Sequence, residues 1–317
     1  MRKYIVKRLV LTIPVLFGVT ALTFFMMRVA PGDIISLMYL EDGNVTQAQI
    51  DAARAALGLD RPLIVQYFDW LWGLLRGDAG YSAWTGRPVV GEVMERLPVT
   101  IHLAGLAFVL QLIIGIPMGI YSATHQDRLG DQLSRLIVLM GVAMPNFWLG
   151  TLAIVFLATS VGWLPPIGSV TYIWQDPFVS LQIFMLPAIV LAIGQAAVIA
   201  RYTRNTMLEV TRQDYIRTAF AKGLSARRVW NVHALRNAMI PVVTVIGAQL
   251  AALMTGTVVT ESVFAIPGVG GLLLSSINSR DIPLLQFIVL FLALIYVGMN
   301  LLVDISYAWI DPRIRYS

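Results

Sequence analysis

Few side chains in this sequence have types and spacing suited to chemistry. The histidines are His102, His125 and His233. No two of them have the spacing of a metal pair on one helix face. The plain reading is structural, with His102 near the outer end of the second apolar run and the other two on the inner side. G-x-S-x-G, H-E-x-x-H and Gly-rich dinucleotide motifs are absent. The dipeptide Gly-Lys never occurs, so the chain has no P-loop for ATP. With no cysteine, disulfides, thiol catalysis and Cys-ligated metal are excluded. No catalytic residue, metal site or cofactor is expected in this chain. Gln111, Gln195, Gln249 and Asn300 fall inside apolar runs, and Asp304 lies near the inner end of the last. Such groups face protein or a water-filled path rather than lipid. Interhelical hydrogen bonding is the simpler of the two readings. The centres of the runs carry no acid or base, which weakens a proton- or sodium-driven carrier. The most conspicuous charged stretch is Asp214–Val243, DYIRTAFAKGLSARRVWNVHALRNAMIPVV. It holds five Arg and Lys, one His and one acid between strongly apolar flanks.

Composition says what must position these groups. The chain is 57% hydrophobic and 13% charged, with mean hydropathy +0.74, whereas a soluble domain carries about a quarter charged residues. Six apolar runs, near 9–29, 99–122, 136–160, 181–200, 238–260 and 284–309, are each long enough to span a bilayer as helix. Helix is required there because it satisfies its own backbone groups in lipid. The expected fold is an all-α integral membrane protein with six transmembrane helices. The first run follows a basic start, Arg2, Lys3, Lys7 and Arg8, and outlasts the apolar part of a cleaved signal. It is read as a retained span. Gly115 and Gly119 form G-x-x-x-G in the second run, and Pro14, Pro117, Pro145 and Pro241 imply kinks.

Lys and Arg set the orientation. Segments 1–8, 123–135, 201–237 and 310–317 hold 16 of them, whereas 161–180 and 261–283 hold only Arg280. Both termini are therefore expected in the cytoplasm, with the chain multi-pass in its membrane. The pI near 9.6 reflects this topology, and no nucleic-acid motif accompanies it.

The organisation expected is 1–29 as cytoplasmic N-terminus and first span, and 30–98 as a small outer helical segment. Residues 99–309 form a five-span core containing the inner loop 201–237, and 310–317 a cytoplasmic tail. In the outer segment, VTQAQIDAARAALGLD has capping-box spacing at Thr46 and Gln49. RPLIVQYFDWLWGLLRGD runs from Pro62 to Gly77, with Leu63, Ile64, Tyr67, Phe68, Leu71, Leu74 and Leu75 at helical spacing. Three readings of the second helix stay open. It lies flat at the membrane interface, packs on the outer ends of the spans, or receives a partner protein.

In the inner loop, Asp214 is expected to cap a short helix through YIRTAFAK that Gly223 stops. Ser225 is expected to cap a second helix leading into the fifth span. A short helix alone in water is marginal, so something holds it. The candidates are the chain's own spans or a partner.

At this loop the sequence resembles the permease subunits of ABC importers, whose pattern is E-A-A-x3-G-x9-I-x-L-P. Arg217, Thr218 and Ala219 stand at the leading positions, with Gly223 and Leu235 at the spacing required. The departures are Arg217 for Glu, Thr218 for Ala, His233 for Ile and Arg236 for Pro. MRKYIVKRLVLTIPVLFGVTALTFFMMRVAPGD, LGLDRPLIVQYFDWL, RLPVT, LPAIVL, ESVFAIPGVGGLL, RDIPLLQ and NLLVDISYAWIDPRIRY resemble the dipeptide/oligopeptide/nickel branch. The likeness is strongest to the B-type subunit of peptide permeases and covers nearly the whole chain.

The resemblance implies type I ABC importer architecture and a half-pore completed by a second, related permease. It implies two cytoplasmic ATPases that bind ATP and Mg, and an outer substrate-binding protein. It implies that Arg217–Leu224 form a coupling helix docked on an ATPase, with Asp214, Arg217, Thr218, Ala219, Lys222, Gly223, Leu224 and Arg227 the coupling residues. Arg217 reverses the family's charge, so a carboxylate is expected opposite it. Glu261 and Asp281 are candidates for the outer gate, Gln249 and Met254 for the path. The implied cargo is short peptides, with nickel complexes, glutathione or other small cargo as the alternative within the branch. A membrane-embedded enzyme or a receptor recruiting a cytoplasmic protein are the readings from other classes.

Overall fold

The computed structural model describes the backbone of residues 2–29, 48, 60–166, 168 and 170–310, and their side chains except at 2–8, 29 and 304–310. The helix expected across VTQAQIDAARAALGLD and the tail 311–317 lie outside the described residues.

The helices are α1 (Arg2–Val29), α2 (Leu63–Leu75), α3 (Val89–Thr124), α4 (Leu129–Ala143), α5 (Asn146–Ser160) and α6 (Pro177–Thr211). They continue with α7 (Asp214–Ala221), α8 (Ala226–Arg228), a π-helical turn (Val229–Ala234), α9 (Leu235–Val263), α10 (Val269–Asn278) and α11 (Ile282–Ile310). Among the described residues five helical stretches are long and apolar enough to cross a membrane, and six when α4 and α5 count as one bent span.

The expected third span, 136–160, is not one helix. α4 and α5 meet at 104°. Met144 between them is extended, at φ −89° and ψ 124°, and Pro145 follows. A residue before proline is pushed out of the helical region, and proline offers no N–H to continue the ladder. The second and fourth spans are longer than their apolar runs. α3 has 36 residues and α6 has 35, about 50 Å each at 1.5 Å per residue. With inner and outer named by the orientation expected from Lys and Arg, α3 extends on the outer side, where Val89 and Val93 pack with Val269, Leu272, Leu284 and Ile288 of α10 and α11. α6 projects inward, where Met207 packs with the inner loop.

The core is the seam of α3, α6 and α9. Leu103, Ala107, Phe184, Ala188, Leu191 and Leu253 are buried together there. Toward the inner side the Gly115/Gly119 pair lets two backbones touch. A methyl on Gly115 would sit 2.7 Å from the Ala196 carbonyl oxygen, and one on Gly119 2.6 Å from that of Ala200. No side chain fits at such a distance, so the seam closes only with glycine.

α2 settles on its neighbours. Tyr67 is buried against Phe17, Phe24 and Phe25 of α1, and its hydroxyl shares a 2.9 Å hydrogen bond with that of Thr20. Leu74 joins the outer cluster of α3, α10 and α11. Of the three readings, packing on the outer ends of the spans describes the geometry, while Ile64, Phe68, Trp72 and Leu75 remain exposed.

Candidate functional site: an inner helix and an outer carboxylate network

The inner loop forms the short helix α7. Gln213, not Asp214, occupies its cap position, and no side chain caps it. Asp214 lies one residue inside, where a carboxylate still complements the positive end of the helix. Ser225 stands at the cap of α8 without bonding through its side chain. The helix it starts does not end before the span. It passes through the π turn straight into α9. Gly223 has φ +78°, and a Cβ there would meet nothing within 4 Å, so backbone conformation and not crowding calls for glycine.

α7 has two faces of opposite kind. Ile216 and Ala219 are buried with Ala123 of α3, Met207 of α6, Val229 and Ala234 of the π turn, and Ala238 of α9. Tyr215 adds a polar tie, its hydroxyl donating to the His233 carbonyl and accepting from Asn237 Nδ2 at 2.8 Å. The other face is open. Asp214 is 96% and Arg217 78% exposed, 3.7 Å apart. Thr218, Phe220, Lys222 and Arg227 are also exposed, and Leu224 is half-buried against the same cluster. The chain's own spans therefore hold α7 from behind and leave its charges outward. An exposed pair such as Asp214–Arg217 adds little to stability.

The outer end is built the other way. Glu261, at the end of α9, has no solvent exposure. Its Oε1 accepts from the Thr100 hydroxyl of α3 at 2.7 Å, and its Oε2 from the backbone N–H groups of Gly270 and Gly271 at 2.8 and 3.1 Å. Thr100 Oγ1 in turn accepts from Val269 N–H at 2.9 Å. Glu261 is thus an N-terminal cap for α10 supplied from another helix, joining three elements. Asp281 caps α11 through Leu284 N–H at 3.2 Å and also accepts from the Ser82 hydroxyl and Ala83 N–H of the outer segment.

The four residues expected at the path or outer gate do not form one cluster. Glu261 and Asp281 sit in separate buried networks at the two ends of α10. Gln249 lies twelve residues before Glu261 on α9, about 18 Å along a helix. It is half-buried, and Met254 is buried. Gln111 is fully buried in α3 with neither amide atom bonded among the described residues, so it makes none of the interhelical bonds its position invites. The Asp304 side chain lies outside those described. His102 bonds Ser180 Oγ at 3.1 Å and packs edge-on to Phe184, Tyr172 and Trp174.

Sequence reasoning missed Thr100, Ser82 and the inner pair Asp131–Arg204. Asp131 is buried, and both its oxygens accept from Arg204 at 2.9 Å. It also accepts from Ser122 at 2.5 Å and Asp127 N–H at 3.0 Å. Asp131 follows Gly130 in a polar turn and looks like a loop residue. Its single hint is the Arg135 one helical turn later.

Residues 115–316 match the family of binding-protein-dependent transport system inner membrane components, and residues 1–104 match the N-terminal family of the same transport-system membrane components. The chain belongs to that family. This permease is 40% identical over 318 positions to the oligopeptide transport system permease protein AppB of Bacillus subtilis strain 168. It is 39% identical over 339 positions to the dipeptide transport system permease protein DppB of Escherichia coli strain K12. Both alignments cover 100% of each chain. Its fold is similar to that of a chain of the inward-facing MetNI methionine ABC transporter, with TM-score 0.56, 16% identity and coverage of 70% of this chain and 97% of the other. An amino acid ABC transporter crystallised with histidines gives TM-score 0.53, 15% identity and coverage of 69% and 94%. The permease is an integral inner-membrane transport subunit of type I ABC importer architecture.

Proposed function

We propose that this permease is one membrane half of an ATP-driven importer for short peptides. The observation that carries the reading is similarity along the whole chain to two peptide permeases from distant bacteria. A second, related permease completes the pore. Two cytoplasmic ATPases bind ATP and Mg, so this chain needs no cofactor of its own. An outer substrate-binding protein delivers the cargo. The 16 Lys and Arg of the inner segments support a cytoplasmic position for α7 and both termini.

α7 is the coupling element. Its exposed residues Asp214, Arg217, Thr218, Lys222 and Gly223, with Arg227 beside them, meet the ATPase. Ala219 and Leu224 face back and bind the helix to its own spans. Because α7 packs on α3, α6 and α9 together, closure of the ATPases moves the inner ends of three helices as a unit. Arg217 faces a carboxylate on the ATPase. Gln249 and Met254 line the path, while Glu261 and Asp281 hold the outer elements that open and close it.

Gly223→Asp tests this reading. The new side chain meets open space, and the left-handed backbone costs about 1–2 kcal/mol for a residue with a Cβ. The subunit should still fold. We expect a pull-down from solubilised membranes to recover two ATPases and a second permease with the native protein, and to lose the ATPases with the variant, along with peptide uptake. A native protein that purifies alone in every condition would overturn the assignment.

A further inference from the structure

A cavity of about 350 Å3 opens between α3, α4 and α6 toward their inner side, and its lining includes neither α7 nor Gln249 and Met254. Met118, Val138, Leu139 and Val142 give it an apolar wall, and Arg135, Arg201 and Arg204 a cationic one. The three arginines are not equally neutralised. Arg204 is held by both oxygens of Asp131. Arg135 only approaches Asp131, at 3.6 Å. Arg201 lies over its neighbour Tyr202 at 5.8 Å and pairs with no carboxylate among the described residues. Arg135 and Arg201 are exposed at the mouth of the cavity beside its apolar wall, and neither is neutralised by a close carboxylate as Arg204 is, so both are available to an anion.

We propose that this cavity binds an anionic phospholipid of the inner leaflet. Its phosphate lies between the Arg201 and Arg135 guanidiniums, and the first part of an acyl chain follows Met118, Val138, Leu139 and Val142. The combination of basic and apolar walls matches such a lipid on both sides. Cytoplasmic leaflets are rich in anionic headgroups, which basic residues at the membrane surface attract. Arg204 orients the site and does not bind, because Asp131 occupies its planar fork. α4 and α6 form two sides of the cavity, so the lipid would brace the bent span against the helix that leads into α7.

The test is native mass spectrometry of the solubilised complex, incubated separately with phosphatidylglycerol and phosphatidylcholine. Phosphatidylglycerol should be retained preferentially. Arg201→Gln should lower that retention roughly fivefold, the effect of one basic residue near a lipid surface. Val142→Trp, which fills the apolar wall, should lower it too, while Arg236→Gln, an exposed arginine outside the cavity, should not. Equal retention of the two lipids, or no change in Arg201→Gln, overturns the proposal. Displacement of the lipid by inorganic phosphate would mean a site for free anions and also overturns it. So would cross-linking of a Leu139→Cys probe, in a chain without native cysteine, to a second permease subunit. Peptide uptake is scored apart, so loss of the lipid site and loss of the importer assignment are separate results.

Discussion

The two ends of this permease treat charge in opposite ways. At the outer end Glu261 and Asp281 are buried and meet donors from α3, α10, α11 and the outer segment. At the inner end α7 buries Ile216 and Ala219 and leaves Asp214, Arg217 and, just past its last residue, Lys222 in solvent. The outer carboxylates are satisfied within the chain and act as joints. The inner charges are left over, and residual charge on a held helix is what a partner surface can recognise. Asp131 and Arg204 break the simple rule, because this buried pair also lies toward the inner side. The difference is therefore between groups inside the helix packing and groups on the loop beyond it, rather than between two sides of a membrane.

That distinction makes predictions of decreasing size. Asp131→Ala should be the most destabilising, by about 3–5 kcal/mol, because it strands the Arg204 guanidinium. Thermal unfolding in detergent would show it, and a shift as small as that of a surface variant would end the claim that the inner side has its own buried joint. Glu261→Ala should cost about 3 kcal/mol, since the Thr100 hydroxyl and two backbone N–H groups lose their acceptor together. Proteolysis in the 264–281 connection should rise with it. Glu261→Gln, which keeps one acceptor oxygen, should recover part of the loss. Tyr67→Phe keeps the aromatic cluster and deletes one hydroxyl bond, so it should cost about 1 kcal/mol and leave uptake near normal. Arg217→Ala should change stability by less than about 0.5 kcal/mol yet impair ATPase-dependent uptake. Paired with a charge-reversed residue on the ATPase, Arg217→Glu should restore it. If Arg217→Ala unfolds the protein, or no charge exchange rescues transport, the inner helix is a structural part like the outer joints.

Much of the architecture was legible in the sequence because the signals are local. A run of about 20 apolar residues must be helix in lipid, whatever surrounds it. Gly223 marks the end of α7 because few residues adopt φ +78° easily. Where local signals misled, a neighbour decided. Asp214 looked like a cap, but the backbone turned at Gln213. Run 136–160 looked continuous because hydropathy does not register the extended Met144 that Pro145 imposes. The residues of the inner loop proposed for coupling were visible from the motif, whereas the candidate path and gate residues were not grouped by the fold.

Composition, periodicity and the Lys and Arg distribution determined by themselves that this chain is helical, membrane-embedded and equipped with a basic loop, since each property is additive along the chain. Only the tertiary structure decided which polar groups meet. Thr100 and Glu261 are 161 positions apart, Ser82 and Asp281 199, and Asp131 and Arg204 73. Such pairings depend on how helices cross and how deeply each is set, and those are fixed by close packing at places such as Gly115 and Gly119. A carboxylate reads the same in sequence whether it will be a buried joint or an exposed contact; what distinguishes them is the donors that packing brings within reach.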